Sequence, residues 1–226
     1  MIKPTSNLLL PVHERGPWLA TASGGFWSIE DPHPEDVCLD DIIIGLSRVC
    51  RYAGQINPLL EFYSVAEHSV LMTEWAIENG KVRTRADALK ILFHDASEAY
   101  FGDMPTPLKA LVPQFKALET HAQTVIENAL GLSACTDLIT KAEIKSIDTR
   151  IRLDERALVI QEPAFSIGMS EIWKDDPELK PLGVQLECLT PREAVDRFMD
   201  LLERVNEIFP DPSNTIEDDI FLENTL

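Results

Sequence analysis

Positive charge is what this 226-residue chain most lacks: 20 Lys and Arg stand against 38 Asp and Glu, a formal balance of -18. A field of that sign repels a phosphate backbone, so polymeric nucleic acid is not an expected partner. A small phosphate ester stays open, because a divalent cation and two or three local Lys or Arg reverse the sign inside a pocket. Cysteine is scarce and scattered. Cys38, Cys50, Cys135 and Cys188 form no C-x-x-C pair, which argues against a thiolate zinc site or a dithiol redox motif and leaves four reduced core residues. Long apolar runs are missing as well. Leu8 to Val12 contains Pro11 and is too short for a signal segment, and nothing approaches the roughly 18 residues of a membrane span. A cytoplasmic protein with no membrane contact is expected.

Strand signals are sparse too. Phe26 to Ile29 is the one candidate, in a stretch dense with breakers: Pro4, Pro11, Pro17, Gly24, Gly25, Pro32 and Pro34. Residues 1–35 therefore read as an irregular or β-containing N-terminal segment. From Asp36 the period changes to helical. Val37, Ile42, Ile43, Leu46 and Val49 recur at helix spacing, with Asp40 and Asp41 suited to a first turn, which predicts about three turns.

Capping boxes mark three further helix starts: Ser64-Val-Ala-Glu67, Thr84-Arg-Ala-Asp87 and Thr190-Pro-Arg-Glu193. The last leads into Ala194, Val195, Phe198, Leu201, Leu202, Val205 and Ile208, a stripe wide enough to bury, and stops before Pro210. Helices from about Pro113 to Leu130 and from about Asp137 to Gln161 complete the set, closed by Gly131 and Pro163. The class is all-α, a helical bundle over 36–210 with a loop or insertion at 163–189. An acidic tail at 211–226 is expected to stay solvated.

Two histidines stand out by position. His68 falls in the first turns of the helix capped by Ser64, and His94-Asp95 ends the helix that starts at Thr84. Imidazole nitrogen with carboxylate oxygen suits borderline divalent ions and leaves coordination positions for water or phosphate. Asp148 is the candidate for a further ligand, since it lies beside Ile144, Ile147 and Ile151, where an acid is costly unless paired or metal-bound. On periodicity alone a solvated Asp148 is the commoner outcome. His13, His33 and His121 have no comparable setting and read as surface or core-edge residues.

The segment Tyr63-Ser-Val-Ala-Glu-His68-Ser69, followed by Leu92-Phe-His94-Asp95-Ala-Ser-Glu98-Ala-Tyr-Phe-Gly-Asp103-Met-Pro-Thr-Pro-Leu-Lys109, resembles the HD-domain phosphohydrolases. The similarity is to the branch of bacterial 5′-deoxynucleotidases and phage dATP triphosphohydrolases, and it runs from about Thr21 to about Ala157. It implies an HD helical bundle in which His68, His94, Asp95 and Asp148 hold one divalent ion, with Co, Mn, Zn, Fe and Mg as candidates. It further implies Glu98 as general acid or base, one helical turn beyond Asp95 if that helix continues, and Asp103 as the group that holds water, a second cation or the sugar. Arg51 and Lys109 would grip phosphate, Tyr52 would stack on a base or press on the sugar, and Thr106 would make a turn first and a phosphate contact second.

The activity so implied is hydrolysis of a nucleoside 5′-phosphate at the bond next to the sugar. It would release phosphate from a monophosphate or tripolyphosphate from a triphosphate, with deoxynucleotides preferred. Cyclic-nucleotide phosphodiesterase action and a non-catalytic nucleotide-binding or interaction module are the rival expectations. Relatives of this kind are commonly homo-oligomers, so self-association is expected as well.

Overall fold

The computed structural model describes residues 11–133, 139–161, 176 and 178–210. The acidic tail, residues 163–175 and the expected helix onset at Asp137 lie outside them. Among the described residues the chain is mostly helical, with one small antiparallel hairpin at the front.

That hairpin pairs β1 (Trp18–Ala20) with β2 (Phe26–Ser28), Leu19 opposite Trp27. The expected strand at Phe26 thus has a partner that sequence alone did not single out. Gly24, at φ 86°, helps turn the chain between them. Two contacts fasten the hairpin to the helices. Ser23 donates its N–H and hydroxyl to the buried Asp41 carboxylate at 2.7 and 2.8 Å. The buried Trp27 ring stacks face to face on Tyr100 at 4.0 Å.

Eight α-helices follow among the described residues: α1 (Leu39–Arg48), α2 (Val65–Glu78), α3 (Arg85–Leu92), α4 (Glu98–Phe101), α5 (Thr106–Lys109), α6 (Pro113–Ala129), α7 (Lys141–Val159) and α8 (Pro191–Ile208). Helix α2 is the centre, packing on α1, α3, α7 and α8. The core between them is made of fully buried Ile42, Leu46, Met72, Ile91, Leu92 and Phe198. The apolar stripe of α8, with Ala194, Phe198, Leu201 and Val205 buried, is covered within the chain by α1, α2 and α3. Gly45 lets α1 and α4 touch backbone to backbone, since a Cβ there would lie 2.7 Å from that of Ala99. None of the described helices is long and apolar enough to cross a membrane.

The caps form largely as the sequence requires. Thr84 with Asp87 and Thr190 with Glu193 close both halves of their boxes. Ser64 closes only one. It accepts the Glu67 N–H at 3.0 Å, but the buried Glu67 carboxylate turns away and accepts the N–H groups of Glu187, Cys188 and Leu189 at 2.7 to 2.9 Å. Three backbone donors with no helical partner outcompete the single donor of a cap. A fourth box, Thr140 with Glu143, starts α7 at Lys141, four residues beyond the expected onset.

The helix that begins at Thr84 does not continue to Glu98, so the condition attached to that residue is not met. Helix α3 ends at Leu92, and His94, Ala96, Glu98 and Ala99 each bond back three residues, to the carbonyls of Ile91, Phe93, Asp95 and Ala96. These tight turns are braced by Gln123 of α6, which donates to the Phe93 carbonyl and accepts from Ser97 N–H. They leave Glu98 buried and within electrostatic reach of Asp95.

Candidate metal centre

Three of the expected ligands converge. His68 on α2, His94 just after α3 and Asp148 on α7 each offer an atom within 4.8 Å of the others. His68 Nε2 lies 3.5 Å from Asp148 Oδ1, and His94 Nε2 lies 3.1 Å from Asp95 Oδ2. Donors bound at about 2.0–2.1 Å to one ion sit roughly 3.0–3.4 Å apart when adjacent, so these separations suit a shared cation.

The chemistry of the imidazoles makes the stronger test. Both Nε2 atoms are buried and make no well-formed hydrogen bond among the described residues; each instead faces a carboxylate oxygen, Asp148 for His68 and Asp95 for His94. Both Nδ1 atoms are held: His68 Nδ1 lies 2.6 Å from Glu155 Oε1, and His94 Nδ1 lies 2.8 Å from the Ile91 carbonyl. Each acceptor takes only a proton from Nδ1, which leaves the lone pair on Nε2 and aims it at the common point. Such an outer partner is how proteins orient metal-binding histidines. The residues therefore fit a divalent cation.

Electrostatics agree. Burial disfavours the Asp148 carboxylate, but the neighbouring His68, His94 and Lys145 more than offset this and hold it below its usual range. Burial likewise lowers His94, and Asp95 and Asp148 outweigh it, so that imidazole is pushed up overall. At His68 the balance is reversed, since burial and then the nearby Arg51 lower that imidazole and favour its neutral, metal-binding form. Asp95 stands at the rim of the centre, with Oδ2 also 4.0 Å from Arg51 Nη1.

Glu155 is the residue that sequence reasoning missed. Fully buried on α7, it receives Tyr52 OH at 2.6 Å, Tyr63 OH at 3.0 Å and Arg51 Nη2 at 3.2 Å, besides His68. Arg51 Nε lies 3.1 Å away as well. Burial pushes the Glu155 carboxyl up, but Arg51 and His68 hold it well below the usual range, so it is an anion. A signal was available. The buried positions of α7 are Ile147, Asp148, Ile151, Glu155 and Val159, and on a stripe of that spacing two acids two turns apart need two reasons.

Arg51 and Tyr52 are tied to this hub directly, and Asp103 through the Tyr52 backbone. Arg51 opens a loop in which Tyr52, Ala53 and Gly54 take φ of 58°, 52° and 72°, three successive left-handed residues. For Tyr52 and Ala53 that conformation costs of order 1 kcal/mol each and needs support. Asp103 supplies it by accepting Tyr52 N–H at 2.9 Å, and Glu155 by accepting the Tyr52 hydroxyl. One edge of the Arg51 guanidinium is thus engaged by Glu155, and Nη1 is its arm toward the centre.

Glu98 is buried and Lys109 reaches it at 3.3 Å, while also pairing with Glu119 at 2.8 Å. The other Glu98 oxygen has no hydrogen-bond partner among the described residues. Burial, then Asp95 and Asp103, raise the Glu98 carboxyl well above the usual range. Thr106 opens α5, exposed, and its side chain makes no hydrogen bond among the described residues.

Comparison with known proteins places these residues in context. The family described as 5′-deoxynucleotidase YfbR-like matches residues 47–141, a span that holds Arg51, His68, His94, Asp95, Glu98, Asp103 and Lys109. An uncharacterized protein of Rhodobacter capsulatus is 37% identical over 185 residues, covering 80% of this chain and 91% of that protein. The uncharacterized protein YfdR of Escherichia coli (strain K12) is 36% identical over 115 residues, 51% of this chain and 59% of YfdR. A 5′-deoxynucleotidase of Enterobacter sp. (strain 638) is 38% identical over 73 residues, 26% of this chain and 37% of that enzyme.

Proposed function

The chain belongs to the YfbR-like family of HD-domain proteins, and on that premise we propose that it is a metal-dependent phosphohydrolase that cleaves nucleoside 5′-phosphates next to the sugar, with deoxynucleotides as its substrates. One observation carries the proposal: two buried imidazole Nε2 atoms, each with its Nδ1 held by an acceptor, face a common point beside Asp148. Two buried imidazole nitrogens that face carboxylate oxygens without a well-formed hydrogen bond are the arrangement a shared cation would complete.

His68, His94 and Asp148 would hold the ion, with Asp95 as the fourth ligand at the rim. Their nitrogen and oxygen donors suit Co, Mn, Zn or Fe better than Mg, which prefers oxygen alone. With a divalent ion bound, the site gains Lewis-acid stabilisation of a phosphoryl oxygen and a more acidic water. Everything else comes from the chain. Arg51, fixed by Glu155, presents Nη1 to a phosphate oxygen with its orientation set in advance. Glu98, kept protonated by burial and by the charges of Asp95 and Asp103, delivers a proton to the departing ester oxygen, and Lys109 steadies the carboxylate that remains. Asp103 holds the backbone that carries Arg51 and Tyr52.

The test is turnover by the purified protein loaded with Co or Mn, on a panel of deoxynucleoside mono- and triphosphates, with orthophosphate and tripolyphosphate release followed separately. Failure to hydrolyse any nucleotide, with metal confirmed in the protein, would remove the proposal.

A further inference from the structure

Lysine is rare in this chain and unevenly placed. The sequence holds nine. Lys90, Lys141 and Lys145 line one cleft of about 220 Å³ together with His94, Asp95 and Asp148, and Lys141 and Lys109 line an adjoining cleft of about 190 Å³ that shares His94 and Asp95. Four of nine lysines, on a chain of formal charge -18, thus border one groove that runs past the centre between α3, α6 and α7.

Their partners differ. Lys109 is engaged by Glu98 and Glu119, and Lys145 by Asp148 at 2.5 Å. Lys90 and Lys141 have no carboxylate partner among the described residues. Of the acids that share their cleft, Asp95 and Asp148 belong to the centre, and Glu127 accepts from Gln123. The bound ion and Arg51 would contact the phosphate under attack, and the two uncommitted ammonium groups lie along the groove beside it, where further phosphates would reach. Each further phosphoryl group adds about one negative charge, and flexible lysines are point charges suited to it.

Resting on the phosphohydrolase reading above, we infer that Lys90 and Lys141 form a subsite for the outer phosphates of a nucleoside triphosphate, so that the triphosphate is the favoured substrate and tripolyphosphate its product.

The experiment uses the metal-loaded full chain and the K90Q/K141Q variant. Neither position is a ligand, and Lys141 is exposed, so the fold should be kept. Calorimetry with inorganic tripolyphosphate and orthophosphate reads the subsite directly, and kcat/KM on one deoxynucleotide as mono- and triphosphate reads its use. The variant should lose about tenfold in tripolyphosphate affinity and in kcat/KM for the triphosphate, and change less than about twofold on orthophosphate and the monophosphate. K90R/K141R should restore most of the difference. Equal losses on both ligand classes, or none, would overturn the subsite while leaving the hydrolase reading intact. Tripolyphosphate binding that follows this pattern in a protein that hydrolyses no nucleotide would support the subsite and overturn the hydrolase reading.

Discussion

Replacing Glu155 by Gln is the sharpest probe of how the centre is built, because it removes a charge and leaves the shape. The carboxylate now takes donors on both oxygens, His68 and Tyr63 on Oε1 and Tyr52 and Arg51 Nη2 on Oε2, with Arg51 Nε 3.1 Å from Oε1 as an ion pair. An amide has one oxygen and one NH₂, so in either orientation a donor faces a donor. If NH₂ faces His68, the ring must accept on Nδ1 and carry its proton on Nε2, where it can no longer bind a metal. If NH₂ faces Tyr52 and Arg51, the buried guanidinium loses its counter-ion. Breaking a buried pair from one side costs about 3–5 kcal/mol, a large share of the roughly 5–15 kcal/mol that holds a domain together. Loss of an outer partner of a metal-binding histidine lowers affinity by about 10- to 100-fold. Denaturant unfolding and Mn or Co titration of Glu155→Gln should show both losses. Tyr63→Phe, which removes one neutral donor, should cost only about 1 kcal/mol and leave metal affinity unchanged. An E155Q protein that matches the parent in both measurements would refute the reasoning.

Three other outcomes follow from the geometry. Glu98→Gln should bind metal as before yet lose about 10²- to 10⁴-fold in kcat, seen by comparing metal content with turnover. Gly45→Ala should destabilise by about 1–3 kcal/mol, because its methyl would lie 2.7 Å from the Ala99 Cβ; Ala99→Gly in the same chain should recover part of that loss in thermal unfolding. The capping carboxyls Glu143 and Glu193 are held below their usual range chiefly by Thr140 and Thr190. The folded protein therefore binds their protons less readily than the unfolded chain, so their contribution is present at neutral pH and fades as the pH falls through the carboxylate range. Thr140→Ala and Thr190→Ala should flatten that part of the stability profile.

Sequence carried the helices well, because caps and breakers act locally: Thr84, Thr190 and Pro113 start helices wherever they stand before an apolar period. It singled out His68, His94 and Asp95 for a different reason, a short string dense in unusual residues. What it missed depends on packing between distant segments. β1 has three residues and no alternation to betray it, and exists because Phe26 to Ser28 fold back beside it. The Glu67 carboxylate looks like half of a cap until residues 187–189 arrive from far along the chain. Glu155 reads as one acid among many on a charged helix, and only the approach of α2 and the Arg51 loop makes it a hub. The lysines of the groove come from α3, α5 and α7, with no motif to join them.

One rod, α7, carries both Asp148, beside Nε2 of His68, and Glu155, which grips Nδ1 of the same ring. Its outer side is stapled to the strap at 180–183: Arg150 donates to the Lys180 and Pro181 carbonyls, and Asp154 accepts from Leu182 and Gly183. The imidazole is thus held as in a two-jawed vice whose jaws share one handle. Loosening the strap on the far side would slacken both jaws together, so a lesion well away from the chemistry would surface first as a leaking ion.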